Sequence, residues 1–335
     1  MAGRRIAIIG LGLIGGSLGL ALKHANLPDL EIAGAARSRS TVQKAKRFLA
    51  IDVECATAAE AVEGASLVVV ASPIMTFRSV FAEIAPVLLE GAVVTDVGST
   101  KSDVARWAKE FLPMGVHFVG GHPMAGKETP GIDEAEAGLF EGKPWVVSPS
   151  VTADEKSVQT VVGMAQLVGA RPVFMDPEEH DSYVAAISHL PLVVSSALFS
   201  TAFGSAAWPE LAALASSGFH DTTRLASGSP EMAHDIIATN RQNLIHWLDR
   251  FQEELSRFRD VISSAEGEQI LEAFARAQLE RDNYVLNGAP QRDVGEPMET
   301  ISFSEILLGS KIAGMMKKQE ETLRAAEARV NEKKR

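Results

Sequence analysis

Two hydrophobic patterns divide this chain. Up to about residue 175, short apolar and β-branched runs alternate with helical periods. Ile6–Ile9, Glu31–Ala35, Leu67–Ala71, Ala92–Asp96 and His117–Gly120 are predicted strands, and Trp145–Ser148 and Pro172–Met175 are placed to close the same sheet. Leu67–Ala71 (LVVVA) has no polar alternation, the mark of a parallel strand covered on both faces. Strand and helix in this alternation predict an α/β fold with an N-terminal Rossmann-type, doubly wound parallel sheet. The character changes at Asp176-Pro177-Glu178-Glu179, which has the form of a helix start. Asp can cap, Pro suits the first helical position, and Glu three residues on can complete a capping box. From there to about Asn287 only helical periods occur, clearest where Ile245, Leu248, Phe251, Leu255 and Phe258 recur three or four apart. The expected organisation is a sheet domain over 1–176, an all-α domain over 177–288 and a helical or flexible tail over 289–335.

Composition narrows the partners. A chain of 335 residues suits about two domains, and 46% hydrophobic residues allow a sizeable core. The net charge of −11 argues against nucleic acid or an anionic membrane, both of which reward a basic surface. Cys55 is the single cysteine, so no internal disulfide framework exists and a reducing, cytoplasmic setting fits. It reads as an ordinary buried or half-buried residue rather than a nucleophile. Arg4 and Arg5 before an apolar run imitate a signal peptide, but Gly10, Gly12, Gly15, Gly16 and Gly19 interrupt that run, and no targeting segment is read. The apolar stretch Tyr183–Gly204 holds His189, Pro191 and four serines, so a buried core helix is expected there rather than a membrane span.

The glycines have a chemical explanation. Ile6–Ile9 runs into Gly10-Leu11-Gly12-Leu13-Ile14-Gly15 and then a helix, the strand–G-x-G-x-x-G–helix arrangement of a dinucleotide site. Gly10 permits the tight turn, Gly12 lets backbone approach a pyrophosphate, and Gly15 allows close helix–strand packing. The amides that open the helix, around Leu13 and Ile14, are then free to receive phosphate. An NAD site usually carries a carboxylate at the end of the second strand; this chain reads Ala36-Arg37-Ser38-Arg39 there. Arg37 and Ser38 suit a 2′-phosphate, so NADP is favoured over NAD as cofactor.

Three further segments gather unusual residues where loops are expected after strands. Ser72 and Pro73 are placed to wall the nicotinamide side of such a site. Ser99 lies in a second loop, within reach of a substrate hydroxyl or of His122. His122 lies in a third and is the preferred general base, since neutral imidazole has a pKa near the working pH. That assignment predicts activity rising through an ionisation near neutrality. His189 and Arg224, in the helical half, are suited to bind carboxylates. No metal site is read.

Taken in order, GLGLIGGS at 10–17, TDVGSTK at 95–101, GGHPMAG at 120–126, ISHLP at 187–191 and SSGFHDTTR at 216–224 form a specific set. The chain resembles the prephenate/arogenate dehydrogenase family over roughly residues 5–285. The resemblance implies NAD(P)-dependent oxidative decarboxylation of prephenate or arogenate in tyrosine biosynthesis, and an apolar face in the helical half, such as Pro191–Phe203, predicts a homodimer. It implies that His122 accepts the proton of the ring hydroxyl, that Ser99 sits beside it, and that His189 and Arg224 bind substrate. Two departures bear on substrate preference: Leu192 stands where many members have a second histidine, and Lys127 where many have threonine. No C-terminal ACT-type regulatory domain is read. From residues alone two other classes stay open, a different hydroxy-acid or imine dehydrogenase and a non-catalytic NADP(H) sensor. Neither class needs GGHPMAG together with SSGFHDTTR.

Overall fold

A computed structural model of the chain describes residues 4–127, 129–151, 153–264 and 267–288. The expected tail at 289–335 lies outside the described residues. Eight strands form one sheet: β1 Arg4–Ile9, β2 Leu30–Ala35, β3 Val53–Cys55, β4 Ala65–Val70, β5 Val93–Asp96, β6 His117–Pro123, β7 Pro144–Pro149 and β8 Arg171–Phe174. Their order is β3-β2-β1-β4-β5-β6-β7-β8. The strands pair in parallel through β6, β7 runs antiparallel to β6, and β8 is parallel to β7. The order reverses between β1 and β4, which opens a crevice at their carboxyl ends.

The predicted strands appear, with one addition and one extension. β3 is only three residues long and carries the exposed Glu54, too short and too polar for a periodic signal. β6 continues past Gly120 to Pro123, because β7 returns antiparallel and pairs Gly121, His122 and Pro123 with Val147, Val146 and Trp145. Apolar side chains from alternate strand positions fill two cores, one on each sheet face. Ile6, Ile8, Leu67 and Val69 lie in one, and Ala7, Ile9, Val68 and Val70 in the other. This two-sided cover is what the unbroken LVVVA run signalled.

Asp176 caps the helix Pro177–Val184 as expected, its carboxylate accepting from the Glu178 and Glu179 amides. A π-turn over Ala185–His189 follows, in which the Leu190 amide bonds to the Ala185 carbonyl five residues back. Pro191 supplies the cause: it has no N–H for the helical ladder, and the widened turn absorbs the missing bond. The helix then resumes over Leu190–Phe203.

The expectation of a buried core helix at Tyr183–Gly204 is corrected. On Leu190–Phe203 only Ser195 is fully buried, while Leu198 and Phe203 are exposed. The stretch is apolar all round, and a single neighbouring layer cannot cover every face. Phe199, Phe203, Trp208 and Phe219 pack on one another and cover part of it. Pro177–Phe203 is long and apolar enough to cross a membrane by length and composition. It also holds His180, Asp181 and His189, each buried and hydrogen-bonded.

The helix Pro230–Thr239 is tied to loops at the carboxyl edge of the sheet. The Met75 amide donates to Asp235 Oδ2 at 3.1 Å, and Thr100 and Thr239 share a hydroxyl–hydroxyl bond of 2.8 Å. Among the described residues, the helices Arg241–Ser264 and Gly267–Asn287 form a second compact unit. Phe258 and Phe274 meet edge-on between those two helices.

Candidate active site

The turn after β1 fits a dinucleotide phosphate. Gly10 has φ +98°, and a Cβ there would meet the backbone of Ala71 and Ser72 at about 2.5 Å. A Cβ on Gly15 would lie 1.9 Å from the Gly10 carbonyl oxygen. Gly12, in contrast, faces open space, with nothing within 4 Å of a Cβ. The first helical bond runs from the Gly16 amide to the Gly12 carbonyl. The amides of Leu13, Ile14 and Gly15 therefore precede the ladder and have no helical acceptor. No side chain caps them and no acidic residue occupies the first turn, so the positive helix end stays available to an anion. The backbone of Ala71 and Ser72 lies directly against this turn, Ser72 Oγ is 2.8 Å from Thr76 Oγ1, and Pro73 follows at the start of the 3-10 turn Ile74–Thr76. At the end of β2 no carboxylate is present. Arg37 is exposed, and Ser38 is the N-cap position of the helix Arg39–Arg47.

His122 is not in a loop, as the sequence reading had it. It sits on β6, beyond the last rung that β6 shares with β5, and opposite Val146 of β7. A strand fixes its ring more firmly than a glycine-rich loop would. The neighbouring Gly121 amide donates to Asp96 Oδ1 at 3.1 Å, and Asp96 is fully buried with Lys101 as its ion-pair partner. The Gly98 amide also donates to Asp96 Oδ2, at 2.8 Å. TDVGSTK is thus the end of β5 and a loop, wound around a buried ion pair between Asp96 and Lys101. Ser99 is half-buried within it. Ser99 makes no hydrogen bond to His122, so that branch of the sequence expectation is corrected: the Nδ1 atom of His122 lies 2.8 Å from Nε2 of His180 instead.

His180 and Asp181 were not singled out in the sequence. Both are buried, on the helix Pro177–Val184, with Val184 buried beside them. His180 Nδ1 is 2.8 Å from Asp181 Oδ1. The same carboxylate accepts from the backbone amides of Lys101, at 2.7 Å, and Ser102, at 2.9 Å. His189 is also buried, and Asn240 Nδ2 lies 3.1 Å from its Nδ1 while donating to the Asp181 carbonyl at 2.7 Å. The structure therefore joins His122, His180, Asp181, Asn240 and His189 in one network. Arg224 is exposed, at the start of the short 3-10 helix Arg224–Ser227, which packs on the helix Leu190–Phe203.

Burial sets the electrostatics. His122 is pushed well below its ordinary value of 6.5, first by loss of water and then by His180, Lys101 and His189 around it. This moves its ionisation away from the neutral range expected from sequence. His189 is lowered to about 4 by burial, with Asp181 opposing and His180 adding to the shift. Both rings are neutral in the folded protein near pH 7.

A stability prediction follows from the sign of these shifts. The folded pKa lies below the unfolded one, so stability is full above about pH 6.5 and is lost as pH falls toward 4. Over that window His189 alone should account for about 2 to 3 kcal/mol. Urea unfolding at pH 7 and pH 4.5 should show this loss in the wild type and a smaller one in His189→Gln. An equal loss in both proteins would remove His189 as its source.

Comparison with known proteins bears on what the network does. Residues 18–174 match the family described as prephenate dehydrogenase, nucleotide-binding domain, and residues 176–276 match prephenate dehydrogenase, dimerization domain. The chain is 34% identical over 292 residues to a prephenate dehydrogenase of Bacillus subtilis, covering 87% of this chain and 77% of the relative. Among solved structures it is similar to prephenate dehydrogenase from Aquifex aeolicus in complex with hydroxyphenyl propionate and NAD+, with TM-score 0.78 and 30% identity over 84% of this chain and 98% of that one. Arogenate dehydrogenase of Synechocystis gives TM-score 0.71 at 30% identity, over 84% of this chain and 99% of that one.

Proposed function

The chain belongs to the prephenate dehydrogenase family, and from that premise we propose that it oxidises a cyclohexadienol bearing a ring carboxylate, prephenate or arogenate, with NADP as the favoured cofactor. The observation that carries this reading is a half-buried His122 held at the end of β6, two strands from β4 where the sheet order reverses, with burial lowering its pKa well below the ordinary value. The relatives named above act on both candidate substrates, so the class is common ground and the choice between its members is left to assay.

The proposed roles draw on this geometry and on the family resemblance. A bound nicotinamide cofactor would supply the acceptor for the hydride of the carbinol carbon. His122 takes the hydroxyl proton from that carbinol. Ser99, half-buried on the adjacent loop, is assigned to the same hydroxyl. Loss of the ring carboxylate as CO2 then yields an aromatic ring, which makes the step irreversible. His189 is assigned to substrate because its Nε2 is buried with no hydrogen-bond partner. Asn240 Nδ2 can only donate, so Nδ1 of His189 accepts and Nε2 carries the proton, a donor awaiting an oxygen. Arg224 is assigned to a substrate carboxylate by a charge-assisted pair.

Gly10, Gly12, Leu13, Ile14 and Gly15 would hold the pyrophosphate, Ser72 and Pro73 would wall the nicotinamide side, and Arg37 with Ser38 would receive the 2′-phosphate. We also assign residues 1–176 to the nucleotide domain and 177–288 to the substrate and dimerisation domain. The exposed apolar residues Ile187, Leu198, Phe203 and Leu214 support burial of a helical surface in a homodimer.

The test is a two-by-two assay, both substrates against both cofactors, following reduced nicotinamide and CO2. Turnover of at least one substrate is expected, with higher kcat/KM for NADP+. Arg37→Asp should lower kcat/KM for NADP+ by about 10- to 100-fold, the size of one charge-assisted hydrogen bond, and spare NAD+. Higher kcat/KM with NAD+ in the unaltered protein would reverse the cofactor assignment. No turnover of either substrate would remove the function.

A further inference from the structure

We infer that His180 and Asp181 form a relay that fixes which nitrogen of His122 is free to take a proton. Its consequence for turnover rests on the function proposed above; its hydrogen-bond logic rests on geometry alone.

The argument starts at Asp181. Its carboxylate meets two backbone amides, those of Lys101 and Ser102, at the first turn of the helix Ser102–Phe111. Backbone amides only donate, and a helix N-terminus favours negative charge, so Asp181 is an ionised acceptor. Burial opposes this, yet the hydrogen bonds from His180, Ser102 and Lys101 hold its carboxyl below the ordinary carboxylate value. Nδ1 of His180, 2.8 Å from Oδ1, must then be the donor. In neutral His180 that leaves a lone pair on Nε2. The 2.8 Å contact between this Nε2 and Nδ1 of His122 needs one proton between two nitrogens. That proton belongs to His122 Nδ1, and Nε2 of His122 is left bare as the base.

The same chain receives the charge. When Nε2 of His122 takes a proton, the ring becomes an imidazolium. Its Nδ1 proton can pass to Nε2 of His180, which places the positive charge beside Asp181. One proton enters the network and none leaves it. A buried carboxylate that sets the tautomer of a general-base histidine is the logic of the serine-hydrolase triad, here lengthened by one ring. Asp181 also reaches the other ring of the site, since its carbonyl holds the Asn240 amide that sets the tautomer of His189. One residue thereby makes His122 an acceptor and His189 a donor. His180 and Asp181 are positioning residues that act through His122.

The experiment uses the full chain with 15N-labelled histidine, without substrate. Long-range 15N–1H correlation spectra identify the protonated nitrogen of each ring, and His122→Gln assigns the His122 signals. The proton of His122 is expected on Nδ1 in the wild type. In His180→Leu it should move to Nε2, and kcat should fall about 100-fold at unchanged KM. His180→Gln, whose amide oxygen can accept where Nε2 did, should recover most of that loss. A wild-type His122 protonated on Nε2 overturns the relay, and so does wild-type kcat in His180→Leu. If His180→Leu does not fold, the wild-type spectrum and His180→Gln decide. If neither substrate is turned over, the spectra still decide the relay while the proposed function fails separately.

Discussion

His122→Asn is expected to lower kcat by about 100-fold or more, the usual contribution of a general base, while leaving KM little changed. Asn keeps the polarity and nearly the size of the ring body but cannot accept a proton. The strand that carries it is held by β7 and by the Asp96–Gly121 bond, so the fold should survive the change. An interaction made only as the proton moves lowers kcat and kcat/KM together. Unchanged kcat in His122→Asn would refute the assignment. The wild-type pH profile gives a second check. The ring is held well below its ordinary value by burial and by His180, Lys101 and His189, with Asp96 and Asp181 behind them. The acid limb of kcat/KM, which reports the free enzyme, should therefore lie below neutrality, and activity should be level through pH 7. A limb centred at pH 7 would mean that water reaches the ring more freely than this packing allows.

Local rules made much of this legible in advance. The glycine turn after β1, the unbroken apolar run of β4 and the Asp176 cap each depend on a few neighbouring residues, and each appears where the sequence puts it. Residue type marks His122, but its strand setting is not legible locally, because the pairing that extends β6 comes from β7, more than twenty residues away. His180 and Asp181 are hidden in the sequence for a related reason. Within Glu178-Glu179-His180-Asp181 they look like the solvated, acidic first turn of a helix. One signal was present: once Asp176 sets the helix phase, His180 and Val184 fall four apart on one face, and a histidine aligned with valine faces inward. The partners it finds there, the amides of Lys101 and Ser102, lie some eighty residues earlier and no periodicity announces them.

Lys101→Met should cost about 3 to 5 kcal/mol of stability, the usual penalty for stranding one member of a buried ion pair. Lys101 and Asp96 are 1% and 0% exposed, so neither has water to fall back on. Met fills much of the volume of the lysine stem, which confines the loss mainly to charge. Burial already raises the Asp96 carboxyl against the pull of the ammonium; without Lys101 it is driven further upward, and protonation becomes the easier way to keep it inside. A carboxyl whose folded pKa is raised destabilises the fold increasingly as pH rises. The deficit of Lys101→Met measured by urea unfolding should therefore be largest above pH 7 and shrink toward pH 5. Adding Asp96→Asn should recover part of it, since an amide oxygen still accepts from Gly121 while no charge remains. Function should respond in the opposite sense. Lys101 is one of the groups that lower the pKa of His122, so its removal should move the acid limb of kcat/KM up toward neutrality. A variant as stable as the wild type at every pH would show that Asp96 is not charged in the folded protein. An acid limb that stays in place would show that the ammonium is too well neutralised by Asp96 to reach the ring.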